Sequence, residues 1–422
     1  MSFQQGLSGL NATSKSLEVI GNNIANAGTY GAKAARAEFA DLYARSLGGA
    51  NAAGIGVQVA NIAQQFSQGG IVSTNNLMDV AINGDGFFQM QDTGGQMLYS
   101  RNGQFKLDSE GFIVNGAGHR LLGYPVDNVG NLVTQVRSQL QLPTVGIAPK
   151  ATEEVKFEMN LDSRKTAIAP VPPATTASID YNDPQTYHNA TSVRVYDAKG
   201  QPVDVTLYFQ KTATDSWNVY ATAPDSDGDG NPELISQAGI TFDGSGLNPN
   251  ITVNGAAQLT PTLTLDIAGA TAHDAINGIE VDLSRLTQFG GNFGVTDVSQ
   301  DGYAPGQLTQ LTIEEDGIIT ARYSNSMTQT AGQIELANFR NTQGLKSMGG
   351  NVWASSFASG DPVAGVPGSA TLGLLKSGAL EESNVDMTAE LVNMITVQRL
   401  YQANAQTIKT QDSVLQTLVS LR

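Results

Sequence analysis

Residues 6–33 read GLSGLNATSKSLEVIGNNIANAGTYGAK, a helix that runs into a turn. Phe3, Leu7, Leu10, Leu17 and Ile24 recur along one face at helical spacing, with Ser14 and Gly21 at the vacant seam positions. Gly21-Asn22-Asn23 and then Gly28 end the run, so the helix is too short and too polar to stand alone in water. Its apolar stripe needs a partner, and none lies nearby in the chain. The other terminus supplies one. Residues 384–422, NVDMTAELVNMITVQRLYQANAQTIKTQDSVLQTLVSLR, place Leu391, Met394, Tyr401, Ala405, Ile408, Leu415 and Leu418 at spacings of 3, 7, 4, 3, 7 and 3. That is a coiled-coil face of about four heptads. Asn384 or Asp386 suits its N-cap, Glu390 its first turn and Arg422 its last position.

Between these helices the texture is β. DVAINGDGFFQM (79–90) alternates through a Gly-Asp-Gly turn, and residues 98–127 read as short strands joined by Asn-Gly and Glu-Gly turns. Residues 191–223 form a further hairpin set, with DAKG (197–200) as the turn and Trp217 as a core anchor. AIAPVPPATTAS (167–178) reads as a linker or extended edge. The expected fold is mainly β with terminal α-helices, its nested β domains inserted between coiled-coil-like helices. The expected divisions are 1–30 with 380–422 as a helical core, 31–70 as a connection, 71–146 with 285–379 as an inner β domain, and 147–284 as an outer inserted β domain.

The 422 residues contain no cysteine, which excludes disulfides and thiolate metal sites and removes any redox hazard outside the cell. The N-terminus lacks a basic region, an apolar core and a cleavage site, and no eighteen apolar residues run together, so neither Sec secretion nor a membrane span is expected. A formal charge of −16 argues against nucleic acid and anionic membranes. Residues 1–30 carry only Lys15 and Glu18, whereas 147–284 carry eighteen acids and seven bases. Neutral ends suit packing against copies of the same chain; an acidic middle suits a solvated exterior.

Candidate chemistry is sparse. DSDGDGNPELIS opens like an EF-hand, with Asp225, Asp227 and Asp229 in place, but Pro232 and Ser236 break the pattern, so it reads as a solvated acidic loop with weak Ca²⁺ binding as the minor reading. His119, His188 and His273 sit in no ligand motif, and the Gly-rich pieces lack a dinucleotide fingerprint. No cofactor and no catalytic set is expected. Periodicity alone leaves open whether the terminal helices pair inside a monomer or with other copies.

SGLNATSKSLEVIGNNIANAGTYGAKAARAEF (8–39), DVAINGDGFFQM with YSRNGQFKLDSEGFIVN (99–115), and residues 377–418 together resemble the flagellar rod and hook axial proteins over nearly the whole chain. The matching motif positions are Asn22, Asn23, Asn26, Gly31, Lys33, Gly84, Gly86 and Phe87; Ala32 departs, standing where an aromatic is usual. Residues 187–223 resemble the extra domain of the family's hook members, which the shorter distal rod member lacks. The resemblance implies a structural subunit of the hook, a curved helical tube that transmits torque from rod to filament. It implies passage through the type III export apparatus, and as partners further copies of itself, the distal rod protein, the hook cap and the hook-filament junction proteins. The assembly interface implied is Leu7, Leu10, Leu17, Ile24, Leu391, Met394, Tyr401, Ala405, Ile408, Leu415 and Leu418. Alternatives are a distal rod protein with an enlarged insertion and, in another class, a secreted Ca²⁺-binding or glycan-active β module.

Overall fold

A computed structural model describes residues 2–42, 56–127, 130–143, 146–169, 179–224, 232–253, 256–270 and 273–420. Asp225, Asp227, Asp229 and most of the Pro-rich piece lie outside the described residues, as does the side chain of Leu418. The termini form two helices, α1 (Ser2–Ala25) and α2 (Met387–Ser420). Asp386 caps α2: its Oδ1 accepts the backbone N–H groups of Thr388 and Ala389 at 2.9 and 3.1 Å. Glu390 stands in the first turn, where the helix dipole favours an acid.

After α1 the chain forms a long antiparallel hairpin of β1 (Ala35–Leu42) and β2 (Gly56–Gln64), with a bulge at Glu38/Phe39. Both strands and α2 pack against α1.

The chain divides into two units, 1–144 with 309–322 and 328–422, and 145–308 with 323–327. In the first, strand Phe87–Gln91 is the hub of a branched sheet, pairing with Met97–Ser100, Arg120–Tyr124 and Leu336–Asn338. Phe87, Tyr99, Phe339 and Trp353 make a buried aromatic cluster with ring centroids 4.7–6.0 Å apart. The Gly-Asp-Gly turn is a corner, not a hairpin: Val80–Asn83 leaves to pair with Leu374–Ser377.

The second unit is a two-sheet sandwich. Alternation along Asn189–Tyr196 and Pro202–Ala213 turns Val193, Val195, Val203, Val205 and Leu207 into one core, where they meet Phe157, Leu265 and Val281 of the facing sheet. Trp217 is fully buried there and donates its Nε1–H to Gln288 Oε1 at 2.7 Å. The expected division at residue 284 is therefore too early. Strand Ile276–Phe289 runs through it, pairing in parallel with Glu154–Asp162, and Gly294–Gln300 covers the other edge of that same strand. Leu283 and Leu286 stay in the core on both sides of 284, so no break in burial marks that position. Residues 285–308 belong to the second unit.

Candidate assembly interface

α1 and α2 lie antiparallel. A Cβ added to Gly6 would meet Ile408 Cγ1 at 3.0 Å, one added to Gly9 would meet Asn404 Nδ2 at 2.9 Å, and Asn23 donates to Glu390 Oε1 at 2.9 Å. The face of α1 that meets its neighbours is therefore built of small residues, Gly6, Gly9 and Ala12, continuing through Val19, Ile20 and Asn23. Small side chains set the short interaxial distance. Of the leucine stripe, Phe3 and Leu7 are exposed, while Leu10, Leu17 and Ile24 are half-buried. Gly6 and Gly9 stand at the close approach to α2, where leucines would hold the helices apart.

On α2 the covered positions are Glu390, Met394, Val397, Asn404, Ala405, Ile408 and Gln411, close to a heptad seam. Met394, Ala405 and Ile408 lie on it as the spacing predicts, and Tyr401 lies at its edge. Leu391 and Leu415 do not: both are about half exposed, as are Val392, Ile395, Leu400 and Val414. α2 is thus apolar well beyond the seam that α1 covers.

The pair is rooted in a buried polar node. The side chain of Glu381, just before α2, is fully buried; Lys33 Nζ, following α1, donates to its Oε1 at 2.6 Å and Arg101 Nη1 to its Oε2 at 3.2 Å. The backbone N–H of Gly69 donates to Oε1 at 2.9 Å, and Lys33 also donates to Ser67 O at 2.8 Å. Burial pushes the Lys33 amine below its ordinary value, and the Glu381 carboxylate opposes that shift. Asn384 Oδ1 accepts Ala34 N–H at 2.8 Å while its Nδ2 donates to Gln65 and Ser67. Asn23 holds the start of β1, exchanging two hydrogen bonds with the Ala35 backbone at 2.8 and 2.9 Å.

The motif positions take clear places in this frame. Asn26 donates back to Asn22 O at 2.9 Å, closing the turn after α1. Gly31 has φ +70°, and an added Cβ would stand 2.5 Å from Asn102 N, so no side chain fits. Gly84 and Gly86 form the corner that delivers Phe87 to the aromatic cluster. The partners Glu381, Arg101 and Asn384 were missed by sequence reading, since charges 280 and 348 residues apart carry no local signal.

Among the described residues no three His, Asp or Glu side chains gather at metal-binding distance, and no helix is long and apolar enough to cross a membrane. His188 is held by Thr166 O and the Lys211 N–H beside Trp217, with burial lowering its pKa.

Residues 3–33 match the Flagella basal body rod protein family, 81–162 the Flagellar hook protein FlgE/F/G D1 domain, 160–303 the Flagellar basal body protein FlaE D2 domain and 376–421 the Flagellar basal body rod FlgEFG protein C-terminal family. Flagellar hook protein FlgE of Salmonella typhimurium and of Escherichia coli are each 42% identical over the full length of both chains, and that of Rhizobium meliloti is 31% identical over all of this chain and 98% of its own. A crystal structure of Helicobacter pylori flagellar hook protein FlgE2 shares the fold with a TM-score of 0.55 at 14% identity, covering 74% of this chain and all of that one. The chain belongs to the flagellar hook protein family.

Proposed function

We propose that this chain is the repeating subunit of the flagellar hook, and that its helix pairs stack against those of neighbouring copies to form the wall of a tube. The observation that carries this reading is the apolar surface of α2 left open by α1, with Val392 59% and Leu400 52% exposed. Each subunit would present one face of its pair to a different face of the next, a heterologous contact that grows a helical polymer. Leu7, Leu10, Leu17, Ile24, Leu391 and Leu415 are the side chains assigned to contacts between copies. Met394, Ala405 and Ile408 serve within the subunit.

In this reading the tube carries torque as a universal joint, while the acidic β units of adjacent copies slide past each other on polar contacts. Export through the type III apparatus, an extracellular position, and end contacts with the distal rod, hook cap and hook-filament junction proteins rest on the family. No step calls for catalysis. The test is polymerisation of the purified chain in ammonium sulfate, read by sedimentation and electron microscopy. Tubes are expected, and Leu400→Asp should abolish them without unfolding the monomer, because the charge is buried only where copies meet. A chain that stays monomeric under all salt conditions, or a Leu400→Asp variant that polymerises normally, overturns the proposal.

A further inference from the structure

Among the described residues, two features of the helix pair have no counterpart within their own chain. The first is the tip of α2. With Gly6 against Ile408 and Gly9 against Asn404, the start of α1 comes level with about residue 412, and α2 runs on to Ser420, about 12 Å further at 1.5 Å per residue. On this tip Val414, Leu415 and Val419 are 51%, 54% and 78% exposed. Leu415 and Val419 lie one turn apart on the same face. The second feature is a cleft of about 360 Å³ at the opposite end of the pair. Val19 and Ile20 of α1 and Ala37 of β1 line one side, Asn393, Thr396 and Val397 of α2 the other, and Arg36 also borders it.

We infer that the tip of α2 from one copy seats in this cleft of the next, a helix-in-groove contact that gives the polymer its direction. The inference rests on the self-assembly reading above and names the surfaces it uses. A second copy is the occupant because the tip cannot reach the cleft of its own chain: residues 396 and 415 are about 28 Å apart along one rigid helix. The volume suits a few apolar side chains, and the floor residues Val19 and Ile20 are apolar. Each seated tip leaves one free tip and one free cleft, so the contact propagates without closing.

The absence of cysteine makes the test clean. Thr396→Cys and Leu415→Cys variants, polymerised as an equal mixture and oxidised, should give a disulfide-linked dimer that neither variant gives alone. Tubes without that dimer overturn the inference and leave self-assembly standing; failure of the unaltered chain to form tubes removes the self-assembly reading itself. If a cysteine variant does not polymerise, a chain ending at residue 411 decides. It keeps the seam with α1, so its Trp353 unfolding should be unchanged while its critical concentration rises at least tenfold. An unchanged critical concentration refutes the contact.

Discussion

Glu381→Ala should unfold the first unit's frame more readily than any other single change in the polar node. The carboxylate accepts from Lys33, Arg101 and the Gly69 N–H, and the Lys33 and Glu381 side chains are both fully buried, with Arg101 nearly so. Removing it leaves two buried cations without their shared anion, a loss of roughly 3–5 kcal/mol for a broken buried pair. Lys33→Met should cost less, because Glu381 keeps Arg101 and Gly69 and the penalty of burying an amine disappears. The two tryptophans report separately, Trp353 from the first unit and Trp217 from the second. Urea unfolding followed by Trp353 in a Trp217→Phe background isolates the effect. With a slope of about 1–3 kcal/mol per molar, the midpoint should fall by roughly 1–5 M. A fall under about 0.5 M, or an equal fall for Lys33→Met, would refute the reasoning.

Three further outcomes follow from the same geometry. Gly31→Ala should lower the unfolding free energy read by Trp353 by at least about 2 kcal/mol from left-handed strain and overlap with Asn102, while Gly28→Ala, whose Cβ meets nothing within 4 Å, should be near neutral. Gly9→Leu should force α1 off Asn404 and expose the seam, read as increased amide exchange in α2 with the Trp217 unfolding unchanged. The second unit should weaken in acid. Hydrogen bonds from Ser245 and Asn248 hold Asp243 at about 2, and the Arg164 side chain holds Asp162 at about 2, both below the ordinary 3.8. Their stabilisation is complete above the ordinary value and is lost as pH falls towards 2. Asp243→Asn should make the Trp217 acid transition shallower, and an identical slope would count against the assignment.

The parts of this molecule legible in its sequence are those set by local pattern. Alternation along 191–207 marks strands whatever they face, Asp386 marks a helix start, and Trp217 reads as a core residue from its surroundings. The boundary at 308 was not legible, because Ile276–Phe289 takes a parallel partner more than a hundred residues earlier and nothing in its pattern changes at 284. The helix seam was half legible. Met394, Ala405 and Ile408 follow from heptad spacing, but the leucines of α1 drew attention from Gly6 and Gly9, where small size is the contact. Hydrophobic periodicity identifies which residues seek burial and is silent on which partner buries them. The node around Glu381 was invisible for a related reason: its charges are brought together only by the tertiary fold.

The most direct test of the central claim is an image reconstruction of the salt-induced polymer at side-chain resolution. The account predicts a tube walled by α1–α2 pairs, with Leu391, Ile395 and Leu400 within about 4 Å of apolar side chains from neighbouring copies. A polymer joined through its β units alone, with those three side chains facing open solvent, would contradict it.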